Sequence, residues 1–331
     1  MSAYYSEIIG SGCAFPDRVV TNNDLAKFID TSDEWIRTRT GIEERRLADR
    51  SKGETTLTFA HQAAVKALEM AHLSGEQIDM IVMGTVTPDT VMPCTANQIQ
   101  AKIGATRAFT FDLQAACSGF LYGYSIADQY IRTGTIERAL VLGGETLSTV
   151  MNWQDRSTCV LFGDGAGGVV LQRTTSERSR VIATKLFSDG RLGEILSIPH
   201  GYGKVPPHVP EYRNDHHKVQ MRGNELFKVA VRNMVDAASQ VLWENQLKTT
   251  DVDFFIFHQA NLRIIDMCAK SLDVPREKMW LNLQKYGNTS AATLPSCLDE
   301  AWRSGRVKKG DLILMVTFGG GLTWATTLVR L

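Results

Sequence analysis

The 331-residue sequence predicts an α/β protein built from two similar halves. Short, nearly all-apolar segments such as 78–86 and 252–257 alternate with longer segments whose apolar residues recur every three or four positions. This alternation is typical of strands covered on both faces by helices. The second half also repeats the order of predicted elements found in the first, although no sequence identity supports the repeat. We therefore predict two α/β halves, residues 1–176 and 177–331, packed as one unit.

The first half is predicted to begin with a strand and then to alternate helices with strands. Its predicted strands are 7–12, 78–86, 109–114, 138–143 and 166–172. Its predicted helices are 24–29, 32–39, 55–73, 93–103 and the segment that follows Cys117 as far as 131. Thr31 and Glu34 resemble a capping box at the start of the second helix.

The second half is predicted to follow the same order, including a strand that matches the one before Cys117. Its predicted strands are 181–187, 252–257, 279–283, 311–318 and 323–330. Its predicted helices are 221–245, 262–272 and 293–304. Residues 201–217 are rich in Gly, Pro and charge, and they read as a long loop that either covers a cleft or lies on the surface.

Composition excludes several classes of protein. Lys plus Arg equals Asp plus Glu, which argues against a general nucleic-acid binder but leaves room for a local basic patch. The N-terminus has no signal-peptide pattern, and no apolar run approaches the roughly 18 residues of a membrane span. Six cysteines lie scattered without CxxC pairs. We therefore expect a cytoplasmic protein with free thiols and no metal site.

Cys117 is the first candidate for chemistry because it lies where a strand pattern changes to a helix pattern. Phe109, Phe111 and Leu113 alternate with polar residues before it, and small residues surround it. A position at the start of a helix favours the nucleophilic thiolate. The alternative is a buried cysteine that fills space.

His258 and Asn288 follow predicted strands of the second half, at ends where α/β folds place their sites. A structural hydrogen bond is the alternative role for His258. The glycines of 162–168 suggest a phosphate loop, but they precede a strand rather than a helix, so a dinucleotide site is not supported. The glycines of 318–321 suit close approach of the backbone to a ligand, with amides available as oxyanion donors.

A papain-like hydrolase also combines Cys, His and Asn, with the His about 130–150 residues after the Cys. Here His258 lies 141 residues after Cys117, and Asn288 lies 30 residues further on. The papain-type sequence around the Cys is absent, the Cys is far from the N-terminus, and the two-fold α/β repeat does not suit that fold. We therefore reject a protease.

Several motifs in order resemble β-ketoacyl-[acyl-carrier-protein] synthase III, the initiating condensing enzyme of type II fatty-acid synthesis. They are 31–42 (TSDEWIRTRTGI), 115–120 (AACSGF), 162–167 (FGDGAG), 223–230 (GNELFKVA), 258–261 (HQAN), 287–290 (GNTS) and 318–321 (FGGG). The resemblance implies the thiolase fold, in which two βαβαβαββ halves form five αβαβα layers. Thiolase itself usually needs a second cysteine in the glycine-rich C-terminal loop, which is absent here.

The resemblance implies a two-step reaction without a metal or bound redox cofactor. A short acyl-CoA acylates Cys117, and malonyl-acyl-carrier protein then loses CO₂ and attacks the acyl group. His258 and Asn288 would donate hydrogen bonds to the enolate oxygen, and the backbone amides of Cys117 and Gly320 would form the oxyanion hole.

The resemblance also assigns binding residues. The CoA-binding residues would be Trp35, Arg39, Arg156, Gly223, Phe227 and Asn261, with adenine held between the Trp35 indole and the Arg156 guanidinium. The carrier-docking residues would be Lys228, Arg263 and Lys270, and the acyl-pocket residues would be Met92, Leu147 and Phe162. Met92 matches a position where a partner subunit helps to close the pocket, so a homodimer is expected. Ser157 replaces a glycine found in some relatives.

Three other functions stay open at this point. One is a specialised ketosynthase or acyltransferase of a secondary-metabolite pathway on the same fold. Another is a hydrolase that releases the acyl group of Cys117 to water. The last is a non-catalytic protein that binds acyl-carrier protein, against which the presence of Cys117, His258 and Asn288 argues.

Overall fold

The computed structural model describes residues 4–199 and 217–331. The predicted loop at 201–217 lies outside the described residues, apart from His217. No helix within the described ranges is long and apolar enough to cross a lipid bilayer.

The described residues form the following strands and α-helices. The strands are β1 (Tyr5–Ala14), β2 (Val19–Thr21), β3 (Glu44–Arg46), β4 (Met80–Gly84), β5 (Phe109–Leu113), β6 (Arg138–Thr146), β7 (Asp164–Thr174), β8 (Arg180–Ser188), β9 (Leu196–Ser197), β10 (Gln220–Met221), β11 (Phe254–Phe257), β12 (Leu312–Gly319) and β13 (Thr323–Arg330). The helices are α1 (Asn22–Leu25), α2 (Asp33–Thr40), α3 (Thr56–Ala71), α4 (Thr95–Ile103), α5 (Gly119–Arg132), α6 (Gly223–Glu244), α7 (Leu262–Ser271), α8 (Leu283–Tyr286) and α9 (Thr293–Arg303).

Two larger sheets carry the fold. The first has the strand order β1-β7-β6-β4-β5, and the second has the order β11-β12-β13-β8. Within the first sheet, β4 pairs in parallel with β5 and β6, whereas β7 runs antiparallel to both of its neighbours. The second sheet repeats this pattern, because β11 and β12 are parallel and β13 is antiparallel to β12 and β8. Two short ladders, β2 with β3 and β9 with β10, lie outside these sheets.

Helices cover both faces of both sheets and produce five layers. Helix α3 packs on β1, β6 and β7, and α6 packs on β8, β12 and β13. Between the sheets lie α5, which contacts strands of both, and α9, which contacts β1, β7 and β11. Four residues of α5 that recur every three or four positions are buried, namely Phe120, Tyr124, Ala127 and Ile131. This αβαβα arrangement is the predicted fold class.

The predicted strand at 279–283 is wrong. Only Met279 forms a bridge in this segment, with Phe255, and the chain then enters α8. The backbone N–H groups of Asn282 and Leu283 both donate to Oε1 of the Gln259 side chain, at 3.3 Å. Because a side chain satisfies these donors, the segment does not extend the second sheet.

Helix α2 begins one residue later than the capping-box pattern indicated. The N-cap is Ser32, whose hydroxyl accepts a hydrogen bond from the Trp35 N–H at 3.1 Å. The helix ends at Gly41, which adopts a φ of 79° that suits glycine. This helix carries Trp35 and Arg39.

Candidate active site

Cys117 lies on a tight turn between β5 and α5. The turn is a short 3₁₀ helix, Ala116–Ser118, and Ala116 has a φ of 45°, in the left-handed region that non-glycine residues rarely adopt. The Thr317 hydroxyl donates to the Cys117 carbonyl at 3.0 Å, and the Thr323 hydroxyl donates to the Ala115 carbonyl at 2.8 Å. The strained turn is therefore held by two hydroxyls from strands of the second sheet.

The glycine-rich segment that ends β12 packs directly against this turn. A Cβ atom added to Gly319 would lie 2.7 Å from the Cys117 backbone nitrogen, so a side chain there would displace the turn. The next residue, Gly320, lines the same cavity as Cys117. The two residues predicted to supply oxyanion donors are thus neighbours in the fold.

Two cavities meet at Cys117. An inner cavity of about 380 Å³ is lined by Cys117, Leu147, Phe162 and Gly320. An outer cavity of about 620 Å³ is also lined by Cys117 and Phe162. The outer cavity contains most of the predicted catalytic and CoA-binding residues, namely Trp35, Arg39, Gly223, Phe227, His258, Asn261 and Asn288.

His258 follows β11 and is held at both its backbone and its ring. Its backbone N–H donates to the Val316 carbonyl at 2.8 Å, and its Nδ1 lies 2.7 Å from the Thr293 hydroxyl oxygen. Its Nε2 is buried and has no hydrogen-bond partner among the described residues. Burial lowers the pKa of the His258 imidazole to about 3. The ring is therefore neutral near pH 7, with Nε2 free to act on a ligand.

Asn288 is positioned by the first half of the chain. Its backbone N–H donates to Leu161 and its carbonyl accepts from Gly163, at 2.9 and 3.0 Å. Its side-chain oxygen accepts the Ser290 backbone N–H at 2.8 Å. Since the oxygen is engaged in this way, the amide NH₂ group remains as a donor for a ligand in the outer cavity.

The Cys117 thiol is not ionised in the resting protein. The pKa of the thiol is raised to about 11 by burial, with a smaller contribution from the Glu145 carboxyl, and the nearby Ser290 hydroxyl opposes the rise. The expectation of a resting thiolate is therefore wrong, because burial disfavours the charged form of the sulfur. The thiol needs a base before it can attack.

Glu145, at the end of β6, is a buried carboxyl beside the site. Its position there was not predicted from the sequence. It accepts hydrogen bonds from Thr85, Val86 and Thr87, and from the Ser290 hydroxyl at 3.4 Å. Burial raises the pKa of this carboxyl to about 7, although the hydrogen bonds from Thr87, Val86 and Thr85 oppose the shift. An acidic residue directly after the apolar run 139–144 was the available signal.

Two guanidinium groups lie on Trp35 at the far end of the outer cavity. The Cζ atoms of Arg39 and Arg156 are 4.8 and 5.2 Å from the indole centroid. Arg156 also donates to the Asp30 carbonyl at 2.7 Å and pairs with its carboxylate at 3.1 Å. A planar base stacked between the indole and a guanidinium would need these two groups to be about 7 Å apart, twice the usual contact distance. The predicted adenine space is therefore filled by Arg156 itself.

Asn261 has a structural role in addition to its place in the outer cavity. It caps α7, because its side-chain oxygen accepts the Arg263 N–H at 2.9 Å. Its side-chain nitrogen donates to the Arg39 carbonyl at 3.1 Å. Asn261 thereby connects α7 to the helix that carries Trp35.

The predicted docking residues are not all together. Lys228 and Arg263 line the outer cavity, and Arg263 lies 5.9 Å from the Phe227 ring centroid. Lys270 lies near the other end of α7, beside a separate depression that also contains Lys278. Two of the three predicted docking residues therefore line the outer cavity, and Lys270 does not.

The predicted acyl-pocket residues also separate. Leu147 and Phe162 are buried and line the inner cavity. Met92 is 87% exposed and does not line either cavity of its own chain. No group of three or more His, Cys, Asp or Glu side chains that could hold a metal is found in the part of the chain that the structure describes.

Comparison with known proteins identifies the family. Residues 111–190 match the family model described as 3-Oxoacyl-[acyl-carrier-protein (ACP)] synthase III, and residues 242–331 match the model of its C-terminal part. A β-ketoacyl-[acyl-carrier-protein] synthase III of Alkalilimnicola ehrlichii is 47% identical, with 98% of this chain and 99% of the relative covered. The chain belongs to the β-ketoacyl-[acyl-carrier-protein] synthase III family.

Solved structures agree with this assignment. The crystal structure of 3-oxoacyl-[acyl-carrier-protein] synthase III from Aquifex aeolicus is 47% identical, with a TM-score of 0.91, and 98% of this chain and 100% of that one are covered. The priming β-ketosynthase of the R1128 polyketide pathway is 34% identical, with a TM-score of 0.90, and 98% and 96% are covered. Family membership makes the chain an acyl-transferring condensing enzyme of fatty-acid biosynthesis with the thiolase fold.

Proposed function

We propose that a short acyl-CoA acylates Cys117 and that the acyl group then condenses with malonyl-acyl-carrier protein. The observation that carries this proposal is the position of Cys117 where the two cavities meet. The inner cavity is lined by apolar side chains such as Leu147 and Phe162, which suits the acyl chain. The outer cavity leads past His258 and Asn288, which suits a thioester on a long arm.

In the first step, Cys117 Sγ attacks the thioester carbonyl carbon of the acyl-CoA. His258 Nε2 takes the thiol proton, because a neutral imidazole with a free nitrogen is the base available to a thiol with a raised pKa. The carbon–sulfur bond to CoA then breaks, and the CoA thiolate takes a proton from solvent as it leaves, so the thiol proton stays on His258 Nε2. The backbone amides of Cys117 and Gly320 stabilise the tetrahedral oxyanion.

In the second step, the bond between the malonyl carboxylate and its α-carbon breaks and CO₂ leaves. The electron pair moves into an enolate of the malonyl thioester, and the Asn288 amide and a protonated His258 Nε2 donate to its oxygen. The α-carbon attacks the acyl carbonyl, and Cys117 leaves as a thiolate that takes up one proton. No metal or redox group has a task in this sequence.

The outer cavity supplies the features that CoA and a carrier protein need. Trp35 and Arg39 suit the nucleotide end of CoA once Arg156 turns away from the indole, and Gly223, Phe227 and Asn261 suit its pantetheine arm. Lys228 and Arg263 place positive charge at the same cavity, which favours approach of an acidic carrier protein. Lys270, about two turns further along α7 than Arg263, does not line this cavity and would add positive charge beside it.

A homodimer is supported by the edge of the first sheet. Strand β5 is an edge strand, and Phe109 at its start is exposed and lies 5.4 Å from the ring of the exposed Tyr130. Val91 and Met92 are exposed as well. An unpaired edge with exposed apolar side chains favours pairing with a second copy. Met92 would then close the acyl pocket of the partner rather than its own.

The division into an N-terminal half, 1–176, and a C-terminal half, 177–331, falls in the connection between β7 and β8. We propose that the first half carries the nucleophile and that the second carries the His and Asn. We propose a cytoplasmic location, which free thiols at all six cysteines support.

A second candidate is the priming step of a secondary-metabolite pathway. The similarity to a polyketide priming β-ketosynthase supports it, although that identity, 34%, is lower than the 47% of the fatty-acid relatives. The chemistry at Cys117 is the same in both cases. The two candidates differ in the acyl group that enters the inner cavity.

One experiment tests both. The protein is incubated with a panel of acyl-CoAs and malonyl-acyl-carrier protein, and products are identified by mass spectrometry, with Cys117→Ala as the control. We expect β-ketoacyl-carrier protein from short acyl-CoAs. Condensation with only long or aromatic acyl groups supports the second candidate. Free fatty acid without condensation indicates a hydrolase, and carrier binding without any product indicates a non-catalytic protein.

A further inference from the structure

Thr293, the first residue of α9, joins His258 to a backbone carbonyl inside the protein. Its hydroxyl oxygen lies 2.7 Å from His258 Nδ1, and its O–H donates to the Ser290 carbonyl at 3.0 Å. The Thr293 side chain is buried. The three groups form a chain, His258–Thr293–Ser290, which is buried throughout.

The direction of these bonds depends on the single Thr293 hydroxyl proton, and the Ser290 carbonyl accepts from that hydroxyl as well as from the Thr293 backbone N–H. A carbonyl oxygen accepts hydrogen bonds and cannot donate one, and a hydroxyl has a single proton. When the Thr293 O–H donates to the Ser290 carbonyl, the Thr293 oxygen can only accept a hydrogen bond from His258. The hydrogen between Thr293 and His258 is then bonded to Nδ1. A neutral imidazole protonated at Nδ1 carries a lone pair at Nε2.

The state of Nε2 decides what His258 can do to Cys117. Both side chains line the outer cavity, and Nε2 is buried without a hydrogen-bond partner in the described part of the protein. Because the ring is neutral, the tautomer alone determines whether Nε2 presents a lone pair or an N–H. A lone pair can take the proton of the buried Cys117 thiol, whereas an N–H cannot.

We propose that Thr293 is a positioning residue that holds His258 in the Nδ1–H tautomer, so that Nε2 is the base for the Cys117 thiol. This inference rests on the proposed acylation of Cys117. The thiol proton moves to Nε2 as the sulfur bonds to the acyl carbon, and Nδ1 stays protonated on Thr293 throughout. The ring is then an imidazolium, which burial disfavours but the negative charge of the malonyl carboxylate and of the enolate stabilises. Its Nε2–H is a donor beside Asn288 in the malonyl step, and it returns its proton to the Cys117 thiolate when the product leaves. Thr293 does not touch substrate.

The direct test measures the tautomer in the wild-type protein. Protein labelled with ¹⁵N at histidine is studied by NMR at pH 7, with His258→Gln used to assign the signals. We expect His258 to show a pyrrole-type Nδ1 and a pyridine-type Nε2. The reverse pattern overturns the proposal, whether or not the protein condenses any acyl-CoA, so its failure is distinct from failure of the proposed function.

Variants add a kinetic test. Thr293→Val keeps the shape and removes the acceptor, and Thr293→Ser keeps the acceptor. We expect the valine variant to shift the His258 tautomer towards Nε2–H and to slow alkylation of Cys117 by iodoacetamide by about 10²-fold, the low end of what a positioned base supplies. The serine variant should restore both. Equal slowing in the two variants overturns the proposal, as does a valine variant that folds and alkylates at the wild-type rate.

Discussion

The two sheets differ at the edge beside the site, because an outer strand is present in the first sheet and nearly absent in the second. In the first sheet, β4 has β5 beside it, and the chain turns from β5 directly into Cys117. In the second sheet, β11 occupies the equivalent place, but its outer neighbour is reduced to the single bridge at Met279. The chain after that bridge is therefore free to cross to the first half.

This difference explains how Asn288 is held. Its backbone bonds to Leu161 and Gly163 of the first half, and Phe162 and Asn288 form an isolated parallel bridge. Cys117 shows the reverse arrangement, because hydroxyls of Thr317 and Thr323 from the second sheet hold its turn. Each half fixes a functional group of the other, so neither half contains the complete site.

The largest effect is expected when the Asn288 donor is removed. Asn288→Asp keeps an oxygen to accept the Ser290 N–H but has no NH₂ for the enolate. We expect condensation to fall by about 10²–10³, as for loss of one oxyanion donor, with acylation of Cys117 nearly unchanged. Condensation is measured with malonyl-carrier protein, and acylation by intact mass.

The comparison for that variant is Asn288→Ala, which loses both the donor and the acceptor. If Asn288→Asp condenses at the wild-type rate while Asn288→Ala does not, the residue acts through its bond to Ser290. That result would contradict a donor role.

A smaller effect is expected when the turn at Cys117 is loosened from the second sheet. Thr323→Val removes the hydroxyl that donates to the Ala115 carbonyl. We expect the free energy of unfolding to fall by about 1 kcal/mol, as for one lost hydrogen bond, and acylation to slow. Urea unfolding measures the free energy of unfolding, and intact mass measures the rate of acylation.

Thr184→Val is the matched control, because the Thr184 hydroxyl bonds Thr327 in the same sheet, away from both cavities. It should cost similar stability and leave acylation unchanged. Equal acylation rates in the two variants would show that the turn does not depend on Thr323.

The last prediction concerns the pH dependence of stability at Glu145, with no expected loss of a catalytic group. Its pKa is about 7 in the folded protein and about 4.5 ordinarily, so the unfolded chain loses its proton first as pH rises. The folded state is therefore destabilised progressively from about pH 4.5 to pH 7, by on the order of 3 kcal/mol in total. Glu145→Gln cannot ionise, so it should lose less stability than the wild type between pH 5 and pH 8.

Urea unfolding of both proteins across that range measures the difference. Parallel stability curves for the wild type and Glu145→Gln would show that the Glu145 carboxyl does not change its charge there.

Sequence patterns predicted most of the fold because periodicity reports burial, and burial dominates this structure. They failed at 279–283, where the apolar pattern suggests a strand but the Gln259 side chain takes the backbone donors. That contact joins residues far apart in sequence, and no local pattern encodes it.

The site was predicted unevenly for the same reason. Cys117, His258 and Asn288 follow strands, so their neighbourhood could be inferred from chain order. Glu145 and Thr293 act through contacts with Ser290 and His258 that depend on how the halves pack. The neutral state of the Cys117 thiol also depends on packing, because residues from both halves bury it.

In the proposed division of roles, the first half supplies the nucleophile that is acylated, and the second half supplies the donors of the malonyl step. Intact-mass analysis after incubation with acyl-CoA and malonyl-carrier protein tests it directly in the wild type, Cys117→Ala and Asn288→Asp. We predict that Asn288→Asp accumulates the acyl adduct on Cys117 without product, and that Cys117→Ala forms neither adduct nor product. Condensation by Cys117→Ala, or absence of the adduct in Asn288→Asp, would contradict the claim.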